Sequence, residues 1–332
     1  MSMTRRLLPL AALLCLLAAA PARAAVFGPP PGKVFTGMTG SLSTSLFGAQ
    51  VGKHPAVLGY FTEWYGGNAA GFTAARATHS RLMLHISTTH GYGQPEHVTP
   101  LGIARGQGDS YLLALNRKIA EFGEPVYVRL MAEMNQTNNA YCAFNRNGSS
   151  RGPAHSTAAF KNAWRRAALI LRGGPVSAID AELAGLHLPP VAGKDGGDLL
   201  PEPQVSLLWV PQTEGSPAIA RNSARAYWPG ARYVDWVGTD FYSKFPNFSK
   251  LETFYRDFKK PFVFGEWALW GGDDPGFVSR LFRFVNTHRR VQMMLYNQGN
   301  DPNGPFRLKR FPRARAAIRH QLRSARYLAS AD

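Results

Sequence analysis

Apolar residues along this chain fall into eight short runs, at 33–40, 56–64, 81–88, 126–133, 205–212, 233–243, 261–269 and 291–298. Runs of this length with so few polar interruptions read as strands buried on both faces. Between them lie stretches of helical periodicity at 110–122, 157–172, 216–227, 249–259 and 275–289. Asp273-Asp274-Pro275 offers a capping carboxylate followed by proline in the first turn, and Pro312 opens a closing helix in the same way. Strands alternating with helices predict a parallel sheet. Eight repeats of that unit close into a single (β/α)8 TIM barrel of the α/β class, with long loops on its catalytic face. The segment 173–203, rich in Gly, Pro and Asp, breaks the rhythm and reads as a surface loop inserted after the fourth helix. The stretch 88–108 reads as another long loop, on the catalytic face.

The first 24 residues stand outside this scheme. Arg5-Arg6, the apolar run 7–20 and Pro21-Ala-Arg-Ala24 form a secretory signal peptide, with cleavage expected after Ala24. That leaves 25–332 as one catalytic domain and makes the protein secreted, extracellular or periplasmic. No later run is long and apolar enough for a transmembrane segment in the mature chain. Cys15 leaves with the signal, so stability rests on a large core rather than on a disulfide at the remaining Cys142. The formal charge is +17, and basic residues concentrate in 306–332. No zinc-finger spacing, aromatic RNP pattern or helix-turn-helix signature accompanies them. Specific nucleic-acid binding is therefore not expected, and the charge is assigned to a basic surface suited to acidic cell envelopes. The histidines are scattered, without His-Glu-x-x-His or paired cysteines, so no metal site is expected; no Gly-x-Ser-x-Gly elbow is present either.

Two glutamates close apolar strand runs half a chain apart. Glu133 ends Val126-Tyr-Val-Arg129-Leu-Met-Ala-Glu133, and Glu266 ends Pro261-Phe-Val-Phe-Gly-Glu266. Carboxylates at the C-terminal tips of barrel strands suit the acid and nucleophile of a glycosidase. Period-two alternation puts Tyr127, Arg129, Met131 and Glu133 on one face of the fourth strand, inside the barrel. It puts Phe262, Phe264 and Glu266 on one face of the seventh. A guanidinium buried there needs a carboxylate partner, and Glu266 is the candidate. Such a pairing favours the ionised form a nucleophile requires, and leaves Glu133 to keep its proton as general acid. The competing reading is a buried Arg–Glu pair that merely fixes the barrel. Asp240 and Tyr242 share a face at the end of the sixth strand. Tyr242 is placed to hydrogen-bond the nucleophile, while Asp240 either anchors a sugar hydroxyl or caps the next helix. Trp64, Trp209, Trp267, Trp270 and Tyr296 gather at strand tips, where they either line a sugar cleft or pack the core. His85 ends the third strand, as a substrate contact or as a satisfied structural histidine.

Several segments share a further pattern: Ile103-Ala-Arg-Gly-Gln-Gly-Asp109 with Tyr111; Arg129-Leu-Met-Ala-Glu133-Met-Asn135; Trp209-Val-Pro-Gln212; Tyr227-Trp-Pro-Gly230 with Tyr233-Val-Asp-Trp-Val-Gly-Thr-Asp240-Phe-Tyr242; and 261–266. Together they resemble glycoside hydrolase family 26, the β-mannanase family within the clan of (β/α)8 retaining glycosidases. The resemblance implies Glu133 as acid/base and Glu266 as nucleophile, with Asn135, Trp209 and Tyr242 as supporting cleft residues. It implies hydrolysis of internal β-1,4 bonds of mannan, or of other β-glucans or xylans, with retained configuration and no cofactor. Departures are also present. The family's histidine before the acid/base glutamate is Ala132 here, Gln136 stands where glycine is common, and no tryptophan follows in 137–151. Tyr141 and Phe144 are candidates for the missing stacking ring. These departures motivate a second expectation, a catalytically weak or inactive glycan-binding envelope protein on the same barrel.

Overall fold

The structure is a computed structural model that describes residues 26–91, 93–193 and 197–331. The expected signal peptide lies outside the described residues. Eight parallel strands form the barrel: β1 Val34–Thr39, β2 Val57–Glu63, β3 Arg81–Ser87, β4 Val126–Leu130, β5 Val205–Trp209, β6 Trp236–Tyr242, β7 Phe262–Ala268 and β8 Val291–Asn297. Each pairs with its neighbour in sequence order, and β8 closes on β1 through pairs running from Phe35 with Met293 to Thr39 with Asn297. The fold is therefore the (β/α)8 barrel that the apolar runs predict. Around it lie α1 Thr44–Val51, α2 Ala69–Ala77, α3 Pro100–Ala104, α4 Asp109–Phe122, α5 Thr157–Arg172, α6 Val176–Gly185, α7 Phe248–Asp257, α8 Pro275–Thr287 and α9 Pro312–Leu322. Among the described residues no helix is long and apolar enough to cross a membrane.

Alternation along the strands sorts side chains into two apolar layers. Val126, Val128 and Leu130 of β4 join the large core between barrel and helices. Tyr127 belongs to a smaller core inside the barrel with Phe35, Met83, Trp236, Val263 and Met293. Val26 and Phe27 close the barrel floor. Trp236 Nε1 donates to the Val26 carbonyl at 2.8 Å, and Tyr127 Oη donates to the Phe27 carbonyl at 2.5 Å. Burial pushes the Tyr127 phenol up to about 12, so it serves as a donor here rather than as a titrating group.

Three expectations about connections change. The stretch 88–108 is not loop throughout, because it carries α3, capped by the Thr99 side chain. The stretch 216–227 is not an α-helix but a succession of 3-10 turns, Ala220–Asn222, Ala224–Tyr227 and, further on, Ala231–Tyr233. Pro217 and Pro229 interrupt helical propagation, and Ser223 is extended (φ −69°, ψ 158°). Asn222 also spends its amide on the carbonyls of Asn135 and Pro217, which competes with helix formation. The segment 173–203, expected to be a plain loop, contains α6, whose Val176, Ile179 and Leu183 are buried at helical spacing. Its ends are held by a short antiparallel pairing of Gly174–Pro175 with Leu199–Leu200.

That segment is anchored by a buried ion pair. Arg166 of α5 donates Nε and Nη2 to Asp109 of α4 at 2.7 and 2.5 Å, and donates as well to the carbonyls of Pro189 and Pro190. Asp109 also accepts from the Ala192 N–H at 2.8 Å. Removing one partner leaves an uncompensated charge in the core. Asp109→Ala should therefore cost about 3–5 kcal/mol in denaturant unfolding, whereas a midpoint close to the wild type's would show that the pair contributes little.

Candidate active site

At the C-terminal ends of β3, β4, β6, β7 and β8, polar side chains converge on one guanidinium. Arg129 is fully buried. Its Nη1 donates to Glu266 Oε1 and to His85 Nδ1, each at 2.5 Å, and its Nη2 donates to Asp240 Oδ2. Glu266 Oε2 accepts from Tyr242 Oη and, at 2.7 Å, from Asn297 Nδ2. Glu133 Oε1 accepts from Gln212 Nε2 at 2.8 Å, and its carboxyl also meets that of Asp240. Three carboxyl groups thus share one buried cation, and like charges this close cannot all ionise. Burial first, and then the charge of Glu266, pushes Glu133 above the usual carboxylate range, against the Gln212 bond and Arg129. Burial drives Asp240 well above its usual value, against the attraction of Arg129. Burial therefore disfavours the charged forms of Glu133 and Asp240 within the cluster. His85 is held well below its ordinary value by burial and by the Arg129 charge, so it is a neutral acceptor at Nδ1.

Neither glutamate is delivered by plain alternation. On β7, Phe262 and Phe264 face the outer core, not the barrel interior, while Val263 faces inward. The pairing then slips: Phe264 sits opposite Met294, and Trp267 opposite Tyr296. A β-bulge here spends one extra residue, so Gly265 and Glu266 both turn inward. Gly265 has to lack a side chain, because a Cβ there would lie 2.8 Å from Arg129 Nε and 3.0 Å from Asp240 Oδ1. On β4 the strand ends at Leu130, and Met131 joins the outer core while Ala132 joins the inner one. Met131 and Glu133 adopt left-handed φ of 42° and 54°. The neighbourhood compensates that strain: Glu133 N donates to the Val210 carbonyl at 2.7 Å, and its own carbonyl accepts from Gln136 N and Asn139 Nδ2, both at 2.9 Å.

The structure brings together Arg129, Glu133, Asp240, Tyr242, Glu266 and His85. It corrects the placement of the aromatic residues expected at the cleft. Trp64, Trp209, Trp267 and Tyr296 are buried in the outer core, on the far side of their strands. Trp209 packs against Trp228 and Phe258 at 4.8 and 4.9 Å, and Trp267 against Tyr296 at 5.0 Å. Tyr141 and Phe144 are likewise buried and offer no stacking face. Asn135 does not face the cleft either. Its amide clamps the Gln212 backbone, accepting from Gln212 N and donating to Gln212 O at 2.9 Å each, and so aims the side chain that meets Glu133. Aromatic surface near the carboxylates comes instead from Tyr242 and Trp270, 5.8 Å apart, and from exposed Phe245, 5.7 Å from Trp270. Phe245, Gln212 and Asn297 escaped the sequence reading. Only the strand-end positions of Gln212 and Asn297 offered a signal, and loop-borne Phe245 offered none. A cavity of about 560 Å³ opens on the Glu133 side, lined by 212–215 and 245–248. Among the described residues no cluster of His, Cys, Asp and Glu could hold a metal ion.

Fold and site together define a (β/α)8 barrel with a carboxylate cluster at its strand tips, and solved structures of that class are similar to it. Its fold is that of the glycoside hydrolase family 26 mannanases. Bacillus subtilis mannanase BCman is 13% identical with a TM-score of 0.56, over 90% of this chain and 88% of that one. Family 26 protein GH26A from Muricauda sp. is 15% identical with a TM-score of 0.56, over 93% and 98%. A modular endo-β-1,4-mannanase from Cellulomonas fimi is 13% identical with a TM-score of 0.57, over 92% and 74%. No protein-family model matches the chain, and no curated protein sequence does. At these identities the likeness is one of fold.

The raised Glu133 carboxyl couples to stability with a definite sign. A group that holds its proton more tightly folded than unfolded contributes stability below its unfolded pKa. That contribution is lost as pH rises through the folded value. Glu133→Gln lacks this penalty, so its stability relative to wild type should increase as pH rises above about 4.3, the ordinary glutamate value. Urea midpoints of both proteins across pH 4–8 test this, and a pH-independent difference between them would contradict the assignment.

Proposed function

We propose that this protein is a retaining endo-β-glycosidase, with β-1,4-mannan as the first substrate to test and other β-glucans or xylans behind it. The observation that carries the reading is the unequal treatment of two carboxyl groups at one cleft. Glu266 sits among three donors (Arg129, Tyr242 and Asn297) that fix its orientation. Glu133 meets only the Gln212 amide and the Asp240 carboxyl, and burial favours its protonated form. In this mechanism Glu266 attacks the anomeric carbon while Glu133 protonates the leaving oxygen, giving a covalent glycosyl-enzyme. Glu133, now a carboxylate, then takes a proton from water, which attacks the anomeric carbon and releases the sugar. Asp240 and His85 hold Arg129 in register rather than touching substrate. The similar fold of endo-β-1,4-mannanases supports the choice of polysaccharide. We further propose that residues 1–24 direct export, placing the mature chain outside the cytoplasm with access to polymer.

Ala132 favours one rival, a glycan-binding protein without turnover, because no imidazole stands beside the Glu133 carboxyl at that position. A reducing-sugar assay on mannan, mixed-linkage glucan, xylan and laminarin separates the two, since retention of polymer without new reducing ends would support the rival. If the enzyme reading holds, Glu133→Ala should lose roughly 10²–10⁴-fold in kcat, and Glu266→Ala should lose turnover while keeping its fold. Undiminished hydrolysis by the latter would end the proposal.

Activity requires Glu133 protonated in the first step, so the basic limb of the kcat/KM profile should lie above the ordinary glutamate range of about 4.3. The Gln212 amide stabilises the charged form of Glu133. Gln212→Ala should therefore move that limb to higher pH, and a limb that stays put or moves down would exclude Glu133 as the titrating acid.

A further inference from the structure

On the same face of the barrel, past the nucleophile strand, lies a second cavity of about 300 Å³ between α1 and the loop after β8. It begins one residue beyond Asn297, the partner of Glu266, because Gln298 lines it. Its rim carries Arg307, Lys309, Ser41, Ser43 and exposed Leu46. No acidic residue lines it. Among the described residues neither cation has a carboxylate partner. Half-buried Arg307 donates Nε to the Asp301 carbonyl at 2.8 Å and Nη2 to the Asn300 carbonyl, while Lys309 Nζ reaches only Asn303 Oδ1 at 3.2 Å. The nearby Asp301 carboxylate accepts from Asn303 N at 2.8 Å. The first turn of α1, which opens at Ser43, receives no side-chain cap, so its positive end adds to the field.

Two uncompensated cations in a concave site, beside hydroxyl and amide groups and a small apolar wall, suit a sugar bearing a negative charge. We propose that this cavity binds a uronate unit of the substrate, its carboxylate on Arg307 and Lys309 and its hydroxyls on Ser41 and Ser43. The inference rests on the glycosidase reading for its place in the reaction. Glu133 protonates the leaving group, so the chain beyond Glu266 is the retained, glycone arm, and this cavity lies on that side. A backbone that combines a β-1,4-mannan geometry with charge at C6 would satisfy both sites.

Isothermal titration of the mature protein compares β-1,4-linked tetramannuronate with mannotetraose, using the Glu266→Ala background wherever turnover interferes. Tetramannuronate should bind about tenfold or more tightly than its neutral counterpart, the worth of one charged hydrogen-bond set. Arg307→Gln/Lys309→Gln should abolish that preference and leave mannotetraose affinity unchanged. Equal affinity for the two sugars in the parent, or a preference that survives the double substitution, overturns the proposal. So does inorganic sulfate competing as well as the oligosaccharide, which would show a bare-anion site. These readouts need no turnover. Hydrolysis of neutral mannan without uronate preference would sink this inference alone, and inertness toward every polysaccharide would sink the catalytic reading alone.

Discussion

Everything at the strand tips depends on one guanidinium sealed inside the barrel. Arg129 cannot shed its proton, and burying it without partners would cost far more than a domain's net stability permits. Its surroundings are the response: Glu266 and Asp240 as carboxyl partners, and His85 as a neutral acceptor. The same cation that makes the cluster tolerable also divides it. Glu266 and Asp240 contact Arg129 directly, whereas Glu133 feels only its field. An arrangement that began as a problem of charge burial thus places two glutamates in different electrostatic surroundings. Two buried polar atoms, Arg129 Nε and Asp240 Oδ1, are left without a hydrogen-bond partner among the described residues, which shows how tightly the cluster is constrained.

The sequence made the barrel legible because doubly buried strands leave an unmistakable apolar signature, and all eight runs became strands. Alternation also placed Arg129 correctly, opposite Val126, Val128 and Leu130. The same rule, carried further, would have moved the aromatics. Trp209 shares its phase with Val205 and Leu207, and Tyr296 with Met294, and all of these face the helices. Proximity to a strand tip was a weaker guide than parity along the strand. The connections failed for a different reason. Pro217 and Pro229 are legible as helix breakers, but the competition from Asn222 acts in part through Asn135, distant in sequence, and shows only in the folded chain.

The two glutamates show where parity itself breaks down. Strict alternation from Phe262 and Phe264, whose rings pack in the outer core, would have sent Glu266 into the helical layer. The bulge at Gly265 reverses that outcome, and the tight space against Arg129 and Asp240 explains why glycine stands there. Glu133 arrives through left-handed backbone at Met131 and at itself. Irregularities of this kind cluster beside reactive groups because regular strands aim side chains only straight in or straight out. A cleft floor demands something between.

Those irregularities in turn explain a division of labour among the loops. Holding Glu133 in an unfavourable φ requires a dense set of backbone bonds, supplied by Val210 from β5's extension and by Gln136 and Asn139 from the loop that follows. Asn135 ties that loop to Gln212, so the residue that steers the Glu133 carboxyl is fixed by the same segment that strains it. The β4 and β5 loops are thereby committed to rigidity. Open space flanks the carboxylates on two sides, one along 212–215 and 245–248 and the other along the β1 and β8 loops. Phe245 and Glu214, the latter paired with Lys250, line the first, and cations without carboxylate partners line the second. Charge is therefore paired on the first side and unpaired on the second.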